Sequence, residues 1–393
     1  MIFMNHQWPS WPIWGDEELT KLKNCLESRN WSRGQLIRDF EDKFSKFCGC
    51  NHTLLVNNGT TALTIALQAL GIGNGDEVLV PGLTWPSTAL AVLECGAKAV
   101  VVDIEPLSYA ISPQSIIENI SPRTKAIIAV HLFNSTADIE TLLEIAKQRN
   151  IFLIEDASQV HGGLWEGKQL GTFGNIGTFS FQQKKLMTCG EGGCLITNDD
   201  SLYEQAYELR DHGMKLKESK IERYGGNNRI SSFNAAILLS QLDRLPYILE
   251  KEEISGIYLT KRLEQLPGIV CLKRRKEITR QTFYSFCFKL MDNNMVIRSE
   301  KLRQQISDLL RIEFTKTYPP LDDKSFFKPH VEQRYSGLWR FADIGNCHQA
   351  YRESLRFPHQ YLLSSMEQLD NIINTIQQII FRELGTVVQR VYC

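Results

Sequence analysis

Apolar residues along this chain come in two rhythms. Short β-branched runs, "TLLVNN", "DEVLVPG", "AKAVVVD", "KAIIAVHLF", "IFLIEDAS", "IGTFSFQ" and "GCLITND", have the length and composition of buried strands. Between several of them lie stretches with a helical repeat, such as "TTALTIALQALGI" and "DIETLLEIAKQRN". Strands alternating with helices predict an α/β fold with a mostly parallel sheet covered by helices. The strand pattern stops near residue 200, and a long helical stretch, "SSFNAAILLSQLDRLPYILEKEEISGIYLTKRLEQL", follows. From about residue 268 the pattern is mixed: "TFYSFCFKLM" reads as strand, "RSEKLRQQISDLL" as helix and "MEQLDNIINTIQQIIFREL" as a closing helix. The expected organisation is an N-terminal arm at 1–14, a large domain at 15–250 with a seven-stranded sheet, and a smaller α+β domain at 251–393.

Composition narrows the function classes. The chain has 393 residues, of which 43% are hydrophobic and 23% charged, as in globular proteins with a large core. A net charge of -1 argues against a strongly electrostatic binder of nucleic acid or anionic membrane. No apolar run approaches the ~18 residues of a membrane span. "MIFMNHQWPSWPIWGDEEL" lacks the basic-then-apolar order of a signal peptide. It reads as an arm that packs its aromatics on the body or on a partner subunit. Ten cysteines without a regular framework suit a reducing cytoplasm. "CGCNH" (Cys48, Cys50, His52) is the one hint of a metal, and no second pair at ligand spacing supports it.

In open α/β sheets ligands bind at the carboxyl ends of the strands, and four such ends carry unusual residues. In "VNNGTTAL" a strand gives way at Gly59 to a helix starting at Thr60 or Thr61; this is an ordinary capped helix or a phosphate seat. In "PGLTWPST" Trp85 is a buried tryptophan or an aromatic face for a planar ligand. In "IFLIEDASQVHG" Asp156 ends a strongly apolar strand, where a carboxylate caps the next element or meets a cation; Gln159 and His161 lie just beyond. In "GTFSFQQKKLMTCGEGG" the pair Lys184–Lys185 is a surface doublet or contains a nucleophilic amine that forms a Schiff base with a carbonyl. Taken together these are the requirements of pyridoxal 5'-phosphate: a lysine, a carboxylate for the pyridinium nitrogen, an aromatic plate and a helix terminus for the phosphate.

These motifs, with "WSRGQLIRDFEDKF", "VDIEP", "VHLF", "GGNNRISSFNAA" and "YPPL", run in order over nearly the whole chain. The sequence resembles the DegT/StrS type of sugar aminotransferases, pyridoxal phosphate enzymes of fold type I. The resemblance makes Lys185 the Schiff-base lysine and leaves Lys184 on a variable position. It sets Asp156 against the pyridinium nitrogen, Gln159 near the ring hydroxyl and Trp85 on the ring. Gly59, Thr60, Thr61 and Ser180 go with the phosphate. Asn227 matches the asparagine that reaches the neighbouring subunit's cofactor, which implies a homodimer with shared sites. Trp31, Arg33, His131, Arg229 and the loop at 212–228 are expected near the substrate. The chain departs from the family pattern at Asn134 and at Asn58–Gly59.

Within the family, "FSFQQKKLMTCGEGG" and the Trp/Pro-rich N-terminus look most like two subgroups: inosose aminotransferases of aminocyclitol antibiotic pathways, through "QQK", and 3-amino-5-hydroxybenzoate synthase, through "FSFQ" with "GEGG"; nucleotide-sugar aminotransferases match this segment less well. "YPPL" favours the aminotransferases. The implied activity is transfer of an amino group from glutamine or glutamate to a six-membered ring ketone in secondary metabolism, with a dehydrating, aromatising synthase as the alternative. A nicotinamide dehydrogenase is disfavoured because no G-x-G-x-x-G opens the first βα unit. An inactive cofactor-binding regulator is the alternative from another class.

Overall fold

The computed structural model describes residues 8–216, 220–291, 296, 299–323 and 333–391, with side chains described to Glu383 in the last helix. Its strands are β1 (His52–Val56), β2 (Glu77–Pro81), β3 (Lys98–Val102), β4 (Thr124–Val130), β5 (Phe152–Asp156), β6 (Leu164–Trp165), β7 (Lys168–Gln169), β8 (Ile176–Ser180), β9 (Gly193–Thr197), β10 (Ile269–Cys271), β11 (Ile278–Arg280), β12 (Ser285–Leu290), β13 (Trp339–Phe341) and β14 (Ser354–Pro358). Eight of them form the main sheet in the order β1-β9-β8-β5-β4-β2-β3-β13. Only β9 runs against the rest. All seven strands read from the apolar runs are in this sheet. The eighth, β13, comes from the C-terminal part of the chain and pairs in parallel with β3.

Continuous apolar runs are what a sheet covered on both faces requires. Alternation within each run sorts side chains between two cores. Leu55, Leu79, Val100, Ile127 and Leu153 face one side, where Phe40 and Phe44 of the helix Gln35–Cys48 and the apolar positions of the helices Ile139–Arg149 and Ser232–Leu263 pack. Leu54, Val78, Val80, Val101, Ile128 and Ile154 face the other, against the helices Gly59–Ala69 and Ser87–Glu94.

A third core lies under the antiparallel sheet β10-β12-β14. Phe286 and Phe357, cross-strand partners, stack with ring centres 5.4 Å apart. The closing helix, Met366–Val391, presents Leu369, Ile372, Ile373, Ile376 and Ile380 to that core, a 3.6-residue stripe. Asn134, a departure from the family pattern, joins the two layers. Its Oδ1 accepts from the Cys287 N–H (3.0 Å) and its Nδ2 donates to the Cys287 carbonyl (3.4 Å).

The described part of the arm crosses both layers as well. Trp8 Nε1 donates to the Leu310 carbonyl (2.7 Å), and its ring meets Tyr361 edge-on. Trp11 Nε1 donates to the Gln183 carbonyl (2.9 Å), with His359 against its ring at 4.4 Å. No helix among the described residues is long and apolar enough to cross a membrane.

Candidate active site

Because β1, β2, β4, β5 and β8 point the same way, their carboxyl ends share one edge of the sheet. A cavity of about 940 Å³ opens there. Gly59, Thr60, Thr61, Trp85, Asp156, Gln159, Ser180, Lys184 and Lys185 all line it. Tyr284, Tyr318 and Arg356 close it from the C-terminal layer, and Trp11 from the arm.

Asp156 is the last residue of β5. Its Oδ2 accepts from Thr88 Oγ1 (3.3 Å) and its Oδ1 from the Ser158 N–H (3.2 Å). It is buried and has no basic partner among the described residues. A buried carboxylate held only by neutral donors leaves room for a cation from outside the chain. Gln159 is fixed by the Phe133 N–H, which donates to its Oε1 (2.7 Å); its Nε2 turns towards the Tyr318 hydroxyl (3.5 Å). Trp85, 56% exposed, stands edge-on to Tyr318 with ring centres 5.3 Å apart.

The helix Gly59–Ala69 begins in the cavity wall. Asn58, the second departure from the family pattern, is its N-cap and accepts from the Thr61 N–H (2.8 Å). Gly59 and Thr60 are its first residues, so their N–H groups have no intrahelical acceptor. A Cβ on Gly59 would sit 2.8 Å from the Ser180 Cβ. The missing side chain is what lets the helix start approach the end of β8.

After Ser180 the chain turns sharply. The Lys185 N–H donates to the Gln182 carbonyl (2.8 Å), and the Gln183 N–H to Gly190 (2.9 Å), whose φ of 87° suits glycine. Lys185 Nζ lies 4.5 Å from the centre of the Tyr284 ring. Burial would raise the Tyr284 phenol, but Lys185, Tyr318 and Arg356 outweigh it and bring it below its ordinary value. Behind the loop is His161, fully buried, with neither ring nitrogen bonded to a described residue. Burial, and then the charge of Lys185, push it down to about 3.

Four residues expected near substrate, Trp31, Arg33, His131 and Arg229, and Asn227, expected at a neighbour's cofactor, do not line the cavity of this single chain. The expectation for His131 is corrected. It is fully buried below the cavity edge, where its Nδ1 accepts from the Ala137 N–H (3.3 Å), so its Nε2 donates to Glu155 (3.2 Å). Glu155 is adjacent to Asp156 and so faces the opposite side of β5. Burial alone would raise the Glu155 carboxyl, yet His131 and the N–H groups of Gly174 and Gly171 hold it below the ordinary range. Arg33 and Arg229 both grip Asp211, the first at 2.6 Å. Asn227 bridges to Asp211 through the backbone, and Trp31, half exposed, leans on Phe233. His52 pairs with Asp200 (2.6 Å) and stacks on Tyr203.

Sequence reading missed Thr88, Tyr284 and Arg356. Thr88 closes the motif "PGLTWPST" and had no signal apart from it. Arg356, a lone cation in the apolar strand "SLRFP", was the readable one.

The profile described as the DegT/DnrJ/EryC1/StrS aminotransferase family matches residues 12–377. L-glutamine:scyllo-inosose aminotransferase of Streptomyces griseus is 32% identical, over 96% of this chain and 95% of that protein. GDP-perosamine synthase of Caulobacter vibrioides is 37% identical, over 91% of this chain and 93% of its own length. The crystal structure of 3-amino-5-hydroxybenzoic acid synthase superposes with a TM-score of 0.87 at 28% identity, covering 96% of this chain and 99% of that one.

Proposed function

The chain belongs to the DegT/DnrJ/EryC1/StrS aminotransferase family, and from that premise we propose that it moves an amino group from glutamine or glutamate to the carbonyl of a six-membered ring ketone, a keto-cyclitol or keto-sugar, using pyridoxal 5'-phosphate. The observation that carries the reading is the convergence of Lys185, Asp156, Gln159, Trp85 and the Gly59 helix start on one cavity. The residues fit the cofactor's chemistry. Asp156, buried without a basic partner, meets the pyridinium nitrogen. The Gln159 amide would meet the ring hydroxyl, and Trp85 would cover the ring. Gly59, Thr60, Thr61 and Ser180 hold the phosphate at a helix N-terminus.

Bound pyridoxal phosphate supplies an aldehyde for an amine and a ring that absorbs the electrons of a broken Cα–H bond. The protein supplies the proton chemistry. In its neutral form the Lys185 amine takes the proton from the donor's Cα. In the second half it delivers a proton to the carbon that began as the ring carbonyl. Once the amine has taken the proton, the resulting ammonium is held in the cavity over the face of Tyr284.

Asn227, Arg229, Arg33 and Trp31 serve the cavity of a second subunit in a homodimer. The large domain and the smaller C-terminal domain divide near residue 250, inside the helix Ser232–Leu263.

The test is spectral. Glutamine or glutamate alone should bleach the visible band of the bound cofactor, and a keto-cyclitol or keto-sugar should restore it. Likeness to the 3-amino-5-hydroxybenzoic acid synthase structure supports a second reading, a dehydrating synthase whose nitrogen already sits on the ring. An enzyme that ignores every amino donor yet aromatises an amino-ketone ring would establish it and overturn the first.

A further inference from the structure

We infer that Arg356 is the seat of the amino donor's α-carboxylate, which makes it a donor-specificity residue; this rests on the aminotransferase reading above. Arg356 lies on β14, half buried in the cavity wall. Its Nε donates to the Lys316 carbonyl (2.9 Å) and its Nη1 to Ser285 Oγ (3.1 Å). Its guanidinium lies 5.0 Å from the centre of the Phe133 ring and 5.2 Å from that of Tyr318. Two neutral hydrogen bonds and two aromatic rings fix the group's orientation but do not neutralise it.

No carboxylate among the described residues pairs with Arg356. Glu94, Asp156, Glu191 and Glu313 line the same cavity, and none forms an ion pair with it. Other arginines of the body do have such partners: Arg210 with Glu41, Arg244 with Glu18, Arg275 with Glu105 and Asp138. A cation partly removed from water without a counter-ion is costly, and a ligand anion relieves the cost. A planar guanidinium with a free edge suits a carboxylate, which accepts two parallel N–H bonds.

With glutamine as donor, the reaction brings two anions to the cavity. The cofactor's phosphate has its seat at the Gly59 helix start and Ser180. Arg356 borders the Gln159 side of the lining, through Tyr318 and Phe133. A keto-cyclitol or free keto-sugar is uncharged. The anion left for Arg356 is the α-carboxylate of the donor, held so that its Cα–H faces the Lys185 amine.

The experiment compares glutamine with glutaminol, in which CH2OH replaces the α-carboxylate, in the donor half-reaction of holoenzyme. Wild type should favour glutamine, and Arg356→Gln should lose about tenfold to a hundredfold with glutamine and almost nothing with glutaminol. Arg356→Lys should recover part of the loss. Calorimetry with 2-methylglutamine, which has no Cα–H to lose, reads the same seat without turnover: binding to wild type, and loss of binding in Arg356→Gln with cofactor content unchanged. An equal loss with both donors, or a fall in cofactor affinity, overturns the assignment and gives the cation to the phosphate or to the fold. A wild type that transfers nitrogen from no donor refutes the aminotransferase reading. The calorimetric arm still decides whether Arg356 holds a carboxylate.

Discussion

At the residue scale, chemistry depends on which of two neighbouring lysines faces the cavity's centre. Lys185 Nζ rests over Tyr284, whereas the Lys184 backbone is tied to its own turn through Gln182. Lys185→Ala should remove the visible cofactor band and lower turnover by at least about a hundredfold, and Lys184→Ala should keep both; absorbance of the two purified variants checks it. His161 gives a prediction in pH. Its folded value is about 3 and its ordinary value 6.5, so between these the unfolded chain binds the proton that the folded one refuses. Its stabilising contribution is complete above 6.5 and declines as pH falls, by about 1.4 kcal/mol per unit. In urea unfolding of the apoprotein, His161→Leu should therefore lose less stability than wild type between about pH 7 and pH 5. Equal slopes would show that His161 is not the group responsible. His131 shows why a residue beside a cleft can be misread. A histidine just after a strand looks like a ligand contact until the alternation of Glu155 and Asp156 is followed: Asp156 faces the cavity, and Glu155 captures the imidazole on the other side.

At the element scale, much of the fold was legible because seven β-branched runs have no stable place except a doubly covered sheet. β13 was not legible. Its three residues are too few to show a period, and what recruits them is the free edge of β3. The C-terminal wall of the cavity was hidden for a related reason. Tyr284 just precedes β12 and Arg356 lies on β14, strands whose apolar pattern only announces a core, and nothing local says how they meet the main sheet. The Asn134 link to Cys287 ties β12 to the loop after β4. The Gly59 helix start was legible as a turn, but its tight fit was not. Gly59→Ala places a Cβ 2.8 Å from Ser180 and must push the helix away from β8. It should cost about 1–3 kcal/mol of stability and weaken cofactor binding, read by thermal unfolding and by cofactor titration. A variant with unchanged affinity would mean that the helix start does not hold the phosphate.

At the scale of the whole molecule, the cluster around Asp211 bears on the proposed homodimer. Arg33, Arg229 and Asn227 gather there, outside the cavity of their own chain. If they complete a partner's site, Lys185→Ala and Asn227→Ala chains, each weak alone, should partly regain activity when refolded together, since one of the two sites in a mixed dimer then has both native groups. Verified mixed dimers without recovery would count against shared sites. The arm sets a condition of another kind, on time. Trp8 is bonded to Leu310, 302 positions later in the chain, and Trp11 to Gln183. A ribosome making this protein releases those tryptophans early and their C-terminal partners Leu310, Tyr361 and His359 late. Trp8 can therefore find Leu310 and Tyr361, and Trp11 can find His359, only after the C-terminal layer has left the ribosome, so this part of the arm docks late.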